Sequence, residues 1–226
     1  MFYDLINLFY PKDCKICGTV LVKNENILCL NCIHELPITN YSWDNENPVK
    51  KVFYGRAEIE NATSLLIFNK KGAVQKLIHQ LKYKGQKEIS PFLGKWMGKE
   101  LSQSPNHEIV DAVIPVPLHK KKLRARGFNQ VEGFGKEIAT ELNIPYLDDV
   151  LLKTSLSSSQ TLKGRLARWG EIEETFVLSK PESIAGKHIL LVDDLITTGA
   201  TLEACAHVLQ QVKNVRISIA TMAIAG

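Results

Sequence analysis

Residues 189–201 read Ile-Leu-Leu-Val-Asp-Asp-Leu-Ile-Thr-Thr-Gly-Ala-Thr, and no other stretch restricts the fold so sharply. A continuous apolar run from His188 to Val192 fits a parallel strand covered on both faces, as in α/β proteins. After Thr198 and Gly199 the apolar spacing turns helical to about Val212, and residues 215–224 supply a last strand. Strand, helix, strand closes a right-handed crossover unit. Asp193 and Asp194 then fall at the carboxyl end of its first strand, where open α/β sheets bind ligands.

The rest of the chain alternates in the same way. Residues 52–57 and 64–68 look like two strands that could pair antiparallel. Val74, Leu77, Ile78 and Leu81 repeat at i, i+3, i+4, i+7, which predicts a helix over residues 72–83 stopped by Gly85. Phe92, Leu93, Trp96, Met97 and Leu101 predict a second helix, and Val131, Phe134, Ile138 and Leu142 a third. Between them residues 110–116 form a short apolar strand ended by Pro115 and Pro117. Strands interleaved with helices imply an α/β sheet. At 226 residues, the chain holds one large domain, or one plus a small appendage. Hydrophobic residues at 45% and charged ones at 23% exclude collagen-like, coiled-coil and wholly disordered chains. No stretch reaches the roughly 18 apolar residues of a membrane helix. The opening apolar residues 1–10 carry Asp4, lack a basic leader and run into Pro11 and Lys12, so a cytoplasmic, non-spanning protein is expected. A net charge of +4 is too small to argue for nucleic-acid binding from bulk charge.

Four of the five cysteines form two close pairs, Cys14-Lys-Ile-Cys17 and Cys29-Leu-Asn-Cys32, eleven residues apart. Two C-x-x-C knuckles can complete the sulfur tetrahedron that zinc prefers, and Gly18 suits the turn of the first. Disulfides or four buried free thiols are the alternatives, and without an export signal the reducing cytosol disfavours disulfides. Four sulfur ligands leave no open position, so Zn2+ held by Cys14, Cys17, Cys29 and Cys32 would be structural. A module of this size should couple metal binding to folding. His34 could replace one ligand but reads more simply as a surface residue, and Cys205 as a buried small hydrophobe. The Pro- and Asn-rich residues 37–50 read as a linker. The expected division is therefore residues 1–45 as the zinc-binding module and residues 50–226 as the larger domain.

The turn Thr197-Thr198-Gly199-Ala200-Thr201 offers three hydroxyls and consecutive amides, and the positive end of the following helix points at it. That is a phosphate site. The two acids before it can accept hydrogen bonds from sugar hydroxyls or hold a hard divalent cation. A ribose 5-phosphate satisfies both halves. A mere strand end followed by an N-cap is the plain alternative. A nucleotide P-loop is excluded because no Gly-Lys-[Ser/Thr] closes the turn. A phospho-acceptor receiver domain fails because too little chain follows Asp194.

Residues 189–201 resemble the phosphoribosyl pyrophosphate motif of type I phosphoribosyltransferases. Together with the four-cysteine head, Leu81-Lys82-Tyr83-Lys84-Gly85, Pro115-Val116-Pro117-Leu118 and Arg126-Gly-Phe-Asn-Gln130, the chain resembles the competence protein F family over nearly its whole length. The resemblance implies a type I phosphoribosyltransferase fold, a central mainly parallel sheet flanked by helices, with a small N-terminal zinc-ribbon-like module. It also implies phosphoribosyl pyrophosphate with Mg2+ as ligands, Asp193 and Asp194 on the ribose hydroxyls directly or through magnesium, and Thr197, Thr198, Gly199, Ala200 and Thr201 on the 5-phosphate. The pyrophosphate would lie near Pro115, Val116 and Pro117. The charge map agrees: Lys120, Lys121, Lys122, Arg124 and Arg126 follow that strand with no acid among them, and guanidinium forks favour Arg124 and Arg126. Such a run also serves as a solvated face or a nucleic-acid contact. Gln160 and Arg168 match a further family pattern, whereas Glu171 stands where the family has Asn. Lys82 or Tyr83 facing the sugar rests on the resemblance alone. His79, His107 and His119 are the only imidazoles offered as bases. Two functions follow from the resemblance. One is an enzyme displacing pyrophosphate from the ribose with an unknown acceptor. The other is a non-catalytic accessory protein of natural transformation that binds single-stranded DNA or senses a metabolite, with single-stranded DNA and DNA-uptake proteins as partners.

Overall fold

A computed structural model describes residues 12–43, 46–104, 110–155 and 174–226. In chain order the elements are α1 (Leu30–His34), α2 (Pro48–Lys51), β1 (Ala62–Phe68), α3 (Ala73–Tyr83), α4 (Ile89–Gln103), β2 (Ala112–Pro115), α5 (Lys120–Arg126), α6 (Glu132–Leu142), β3 (Leu151–Ser155), β4 (Glu174–Leu178), a 3-10 turn (Pro181–Ser183), β5 (His188–Ile196), α7 (Ala200–Leu209) and β6 (Arg216–Ala225). Four strands form a parallel sheet in the order β1-β6-β5-β2. Backbone bonds Val113 N to Pro145 O (2.9 Å) and Leu147 N to Val113 O (2.9 Å) extend it beyond β2. β3 and β4 make a separate antiparallel pair.

Because side chains alternate along a strand, the sheet buries two faces. Val113, Leu190, Val192, Ala220 and Met222 pack with Leu77 and Leu81 of α3, Leu93 and Met97 of α4, and Phe134 and Ile138 of α6. Ile114, Ile189, Leu191, Ile217 and Ile219 pack on the other side against Leu202, Cys205 and Leu209 of α7. Each such fully buried side chain contributes about 1.5–3 kcal/mol of hydrophobic stabilisation. The uninterrupted apolar run in β5 thus has the cause expected of it, a helix layer on either side.

Three expectations are corrected. Residues 52–57 form no strand. Pro48 opens α2, Asn47 Oδ1 accepts from Val49 N (2.9 Å) and Lys50 N (3.1 Å), and Phe53 is buried against α7's side of the sheet from the turns that follow. An Asn cap before a proline overrode the apolar spacing. β1 pairs parallel with β6, not antiparallel with a neighbour in sequence. The linker reading of residues 37–50 also gives way. Ile67 N donates to Pro37 O (2.7 Å) and Thr39 N to Leu65 O (3.0 Å), so this stretch runs along the outer edge of β1, and Trp43 is buried. Cys14, Leu28, Cys32 and Leu36 of the head belong to the same buried cluster as α3 and α4. No helix among the described residues is long and apolar enough to cross a membrane.

β5 continues through α7 to β6 on one side, while the chain after β2 continues to residues 145–147 on the other. The adjacent carboxyl ends of β2 and β5, where Pro115 pairs with Val192, therefore mark the topological switch point.

Candidate functional site

Asp193 and Asp194 sit three residues before the end of β5 and extend to opposite faces of the sheet. Asp194 is 4% exposed, and its Oδ1 accepts from Lys82 Nζ of α3 at 2.7 Å. Its Oδ2 is buried without a hydrogen-bond partner among the described residues. A buried carboxylate oxygen left bare costs free energy unless a hydroxyl or cation meets it. Asp193, on the α7 side, takes the amide of Asp194 on its own Oδ1 (2.8 Å). Burial, and next the charge of Asp194, pushes the Asp193 carboxyl up to about 8, against the pull of that amide and of Lys82 and Lys153.

Next comes the Thr-Thr-Gly turn. Gly199 has φ +76°, a left-handed conformation suited to glycine, and a Cβ there would lie 2.5 Å from Val52 Cγ1. The Thr198 hydroxyl accepts from Ala200 N, the first amide of α7 (3.5 Å), and Thr197, Thr198 and Thr201 are exposed. Arg56, from the turns after α2, braces this loop. Its Nη1 donates to Thr198 O (2.6 Å) and Val52 O (3.2 Å), and its Nη2 pairs with Glu203 of α7. Sequence reasoning missed Arg56, since 142 residues separate it from Thr198.

At the end of β2, Val116 N donates to Val192 O (2.9 Å) and Val116 O accepts from Asn129 Nδ2 (3.2 Å). Pro115 and Pro117 line a cleft of about 360 Å³ whose opposite wall includes Lys153 and Thr154 of β3. The basic run is a helix, α5, not a loop, capped by His119 Nδ1 accepting from Lys121 N (3.2 Å) and ended at Gly127. Arg124 is exposed, whereas Arg126 donates to Gln130 Oε1 (2.6 Å) and lies 5.4 Å from the Tyr83 ring centre. Consecutive residues of α3 thus reach both halves: Lys82 the acid pair, Tyr83 the arginine. His79 stacks on Tyr83 at 5.1 Å. His107, Gln160, Arg168 and Glu171 lie outside the described residues.

The four cysteines meet. Their sulfurs all lie within 4.8 Å of one another, with Cys17 Sγ and Cys29 Sγ 3.7 Å apart. A tetrahedron with metal–sulfur bonds of about 2.3 Å has sulfurs about 3.8 Å apart, so the cluster fits one ion. The Thr19 hydroxyl and amide pull the Cys17 thiol down to about 6, while burial pushes Cys32 well up. His34 is exposed and outside this cluster. Cys205 is fully buried in α7, and burial raises its thiol.

The mainly parallel sheet, with flanking helices and with an acid pair and a Thr-Thr-Gly turn at its switch point, is of the type I phosphoribosyltransferase class of fold, and a cysteine cluster lies N-terminal to it. Residues 132–225 match the family model of the phosphoribosyl transferase domain. The chain is similar to DNA utilization and competence proteins, in line with its resemblance to the competence protein F family. It is 28% identical over 136 residues to the DNA utilization protein YhgH of Escherichia coli O157:H7, covering 59% of each chain. With competence protein F of Haemophilus influenzae the identity is 25% over 139 residues, 60% of this chain and 61% of the relative. With competence protein ComFC of Streptococcus pneumoniae it is 30% over 145 residues, 64% of this chain and 60% of the relative. The matches span about three fifths of these relatives' lengths. Among solved structures, adenine phosphoribosyltransferase from Leishmania tarentolae superposes with a TM-score of 0.39 at 12% identity, over 70% of this chain and 90% of that one. Purine phosphoribosyltransferase from Pyrococcus horikoshii gives 0.38 at 15%, over 62% and 73%.

Proposed function

We propose that residues 50–226 bind phosphoribosyl pyrophosphate at the switch point, that residues 1–45 hold a structural Zn2+, and that the protein acts in the cytoplasm in DNA uptake or use. The observation that carries the ligand is the bare Oδ2 of the buried Asp194 at the switch point. A buried carboxylate oxygen without a donor suits a ligand hydroxyl or a cation. The role in DNA handling is supported by the relatives' names. Free thiols at all five cysteines suit a reducing compartment.

In this reading Asp193 and Asp194 accept from ribose hydroxyls, and the turn amides and threonine hydroxyls hold the 5-phosphate. Asp193 and Asp194 would hold magnesium, the bare Oδ2 of Asp194 being the oxygen that Lys82 leaves open. Bound there, it would offset negative charge developing on the leaving group. In a transfer, a nucleophile bonds to the anomeric carbon while the carbon–oxygen bond to pyrophosphate breaks with its electron pair. Arg124 and Arg126 stabilise the departing anion, and the Asp194 carboxylate faces the cationic sugar. Titration calorimetry of phosphoribosyl pyrophosphate with Mg2+ tests the site. Loss of binding in Asp193→Asn/Asp194→Asn is expected, and unchanged affinity in that variant overturns the assignment.

A second reading, a non-catalytic accessory protein that binds single-stranded DNA, is favoured by α5. Lys120, Lys121, Lys122 and Arg124 are exposed and make no ion pair among the described residues. Replacing the three lysines by alanine should then flatten the salt dependence of strand binding. An unaltered slope removes α5 from that role.

A further inference from the structure

A second basic cavity lies away from the switch point, in the seam between the cysteine head and α3. Its volume is about 440 Å³, within the roughly 300–1,000 Å³ of small-ligand sites. Four lysines line it from three separate parts of the chain: Lys15 of the first cysteine knuckle, Lys71 of the loop after β1, and Lys76 of α3 with Lys84 at that helix's C-terminal cap. Gln75 and His79 add polar groups between them.

Chain geometry fixes these positions. Lys15 N donates to Ile27 O (3.0 Å), tying the residue to the head. Lys71 has φ +64°, a conformation uncommon outside glycine, and its amide donates to Gln75 Oε1. Lys76 lies on α3, and Lys84 caps its C-terminal end, its amide donating to Gln80 O (3.0 Å). The acid nearby is Glu88, 3.3 Å from Lys15, and it does not line the cavity. Lys71, Lys76 and Lys84 make no ion pair among the described residues. Like charges gathered in one cleft repel and raise the local potential for an anion. A solvated helix face explains Lys76 and Lys84, but not the convergence of Lys15 and Lys71 on them.

We infer that this cleft is a second anion site, built for a compact ligand carrying several phosphate groups. Ammonium groups grip phosphate as point charges, and Lys71, Lys76 and Lys84, without an ion pair among the described residues, together suit one densely charged group. The cleft shares no residue with Asp193, Asp194 or the turn over residues 197–201, so it stands whether or not phosphoribosyl pyrophosphate binds there.

Titration calorimetry with inorganic tripolyphosphate, without magnesium and on the full zinc-loaded chain, tests it. One equivalent should bind to the wild type and to Asp193→Asn/Asp194→Asn alike. Lys71→Ala/Lys76→Ala should lose at least tenfold in affinity, with an unchanged circular dichroism spectrum and unchanged zinc content. Lys71→Arg/Lys76→Arg should retain binding. Equal affinity in Lys71→Ala/Lys76→Ala, or binding abolished only by the aspartate changes, overturns the inference.

Discussion

Gly199 concentrates the constraints on the candidate site into one residue. Its left-handed φ of +76° strains any side chain, and a Cβ would meet Val52 at 2.5 Å. Gly199→Ala should therefore cost about 1–3 kcal/mol of stability and displace the turn, read as a lowered thermal midpoint together with lost phosphoribosyl pyrophosphate binding. A variant with wild-type values of both shows that the turn tolerates a side chain. Asp193 carries a pH signature. With its carboxyl raised from 3.8 to about 8, the folded chain keeps a proton across that window which the unfolded chain releases. The group's contribution to stability is thus fully present below about pH 4 and declines as pH rises toward 8. Asp193→Asn should unfold at a higher temperature than wild type at pH 8, with the gap closing toward pH 4. A gap independent of pH contradicts the raised carboxyl. At this scale the sequence spoke clearly for residues 189–201, because acids, hydroxyls and glycine each have a chemical reason in that order. The Lys82 partnership with Asp194 was legible only as a hint, since nothing in residues 81–85 says which strand α3 faces.

At the scale of elements, the phosphate turn is braced by a segment far from it in the chain. Arg56 ties the carbonyl of Thr198 to Glu203, and Val52 and Phe53 close on Gly199. Residues 132–225 carry the matched domain, so part of the scaffold of its site comes from outside it. Hydrogen bonds to a charged group contribute about 1.5–3 kcal/mol each. Arg56→Ala should weaken sugar-phosphate binding by about tenfold or more while leaving zinc content unchanged, and Arg56→Lys should restore only part. Full affinity in Arg56→Ala shows that the turn holds itself. Helices α3, α4 and α6 and strands β2, β5 and β6 were readable because their apolar periods are long enough to distinguish. Residues 52–57 misled because their apolar spacing is real but serves burial from a turn: Phe53 is buried, and the Asn47 cap sets the backbone.

For the molecule as a whole, the cysteine head is not an independent bead. Cys14, Leu28 and Cys32 lie in one buried cluster with α3 and α4. Removing the metal should therefore lower the unfolding temperature of the entire chain in one transition, read by calorimetry with and without a chelator. A separate low-temperature transition with an unmoved main peak shows instead that the head melts alone. The cysteine cluster was visible in the spacing of the four cysteines, but the docking of the head was not, because the Pro- and Asn-rich stretch after it looks like a tether and in fact pairs with β1 at residues 37 and 39. The direct test of the central claim is a crystal structure of the protein grown with phosphoribosyl pyrophosphate and Mg2+. The 5-phosphate should rest on the amides at Thr198 to Thr201, with ribose hydroxyls against Asp193 and Asp194. Ligand density elsewhere, or Lys82 still alone on Asp194 at saturating ligand, contradicts it.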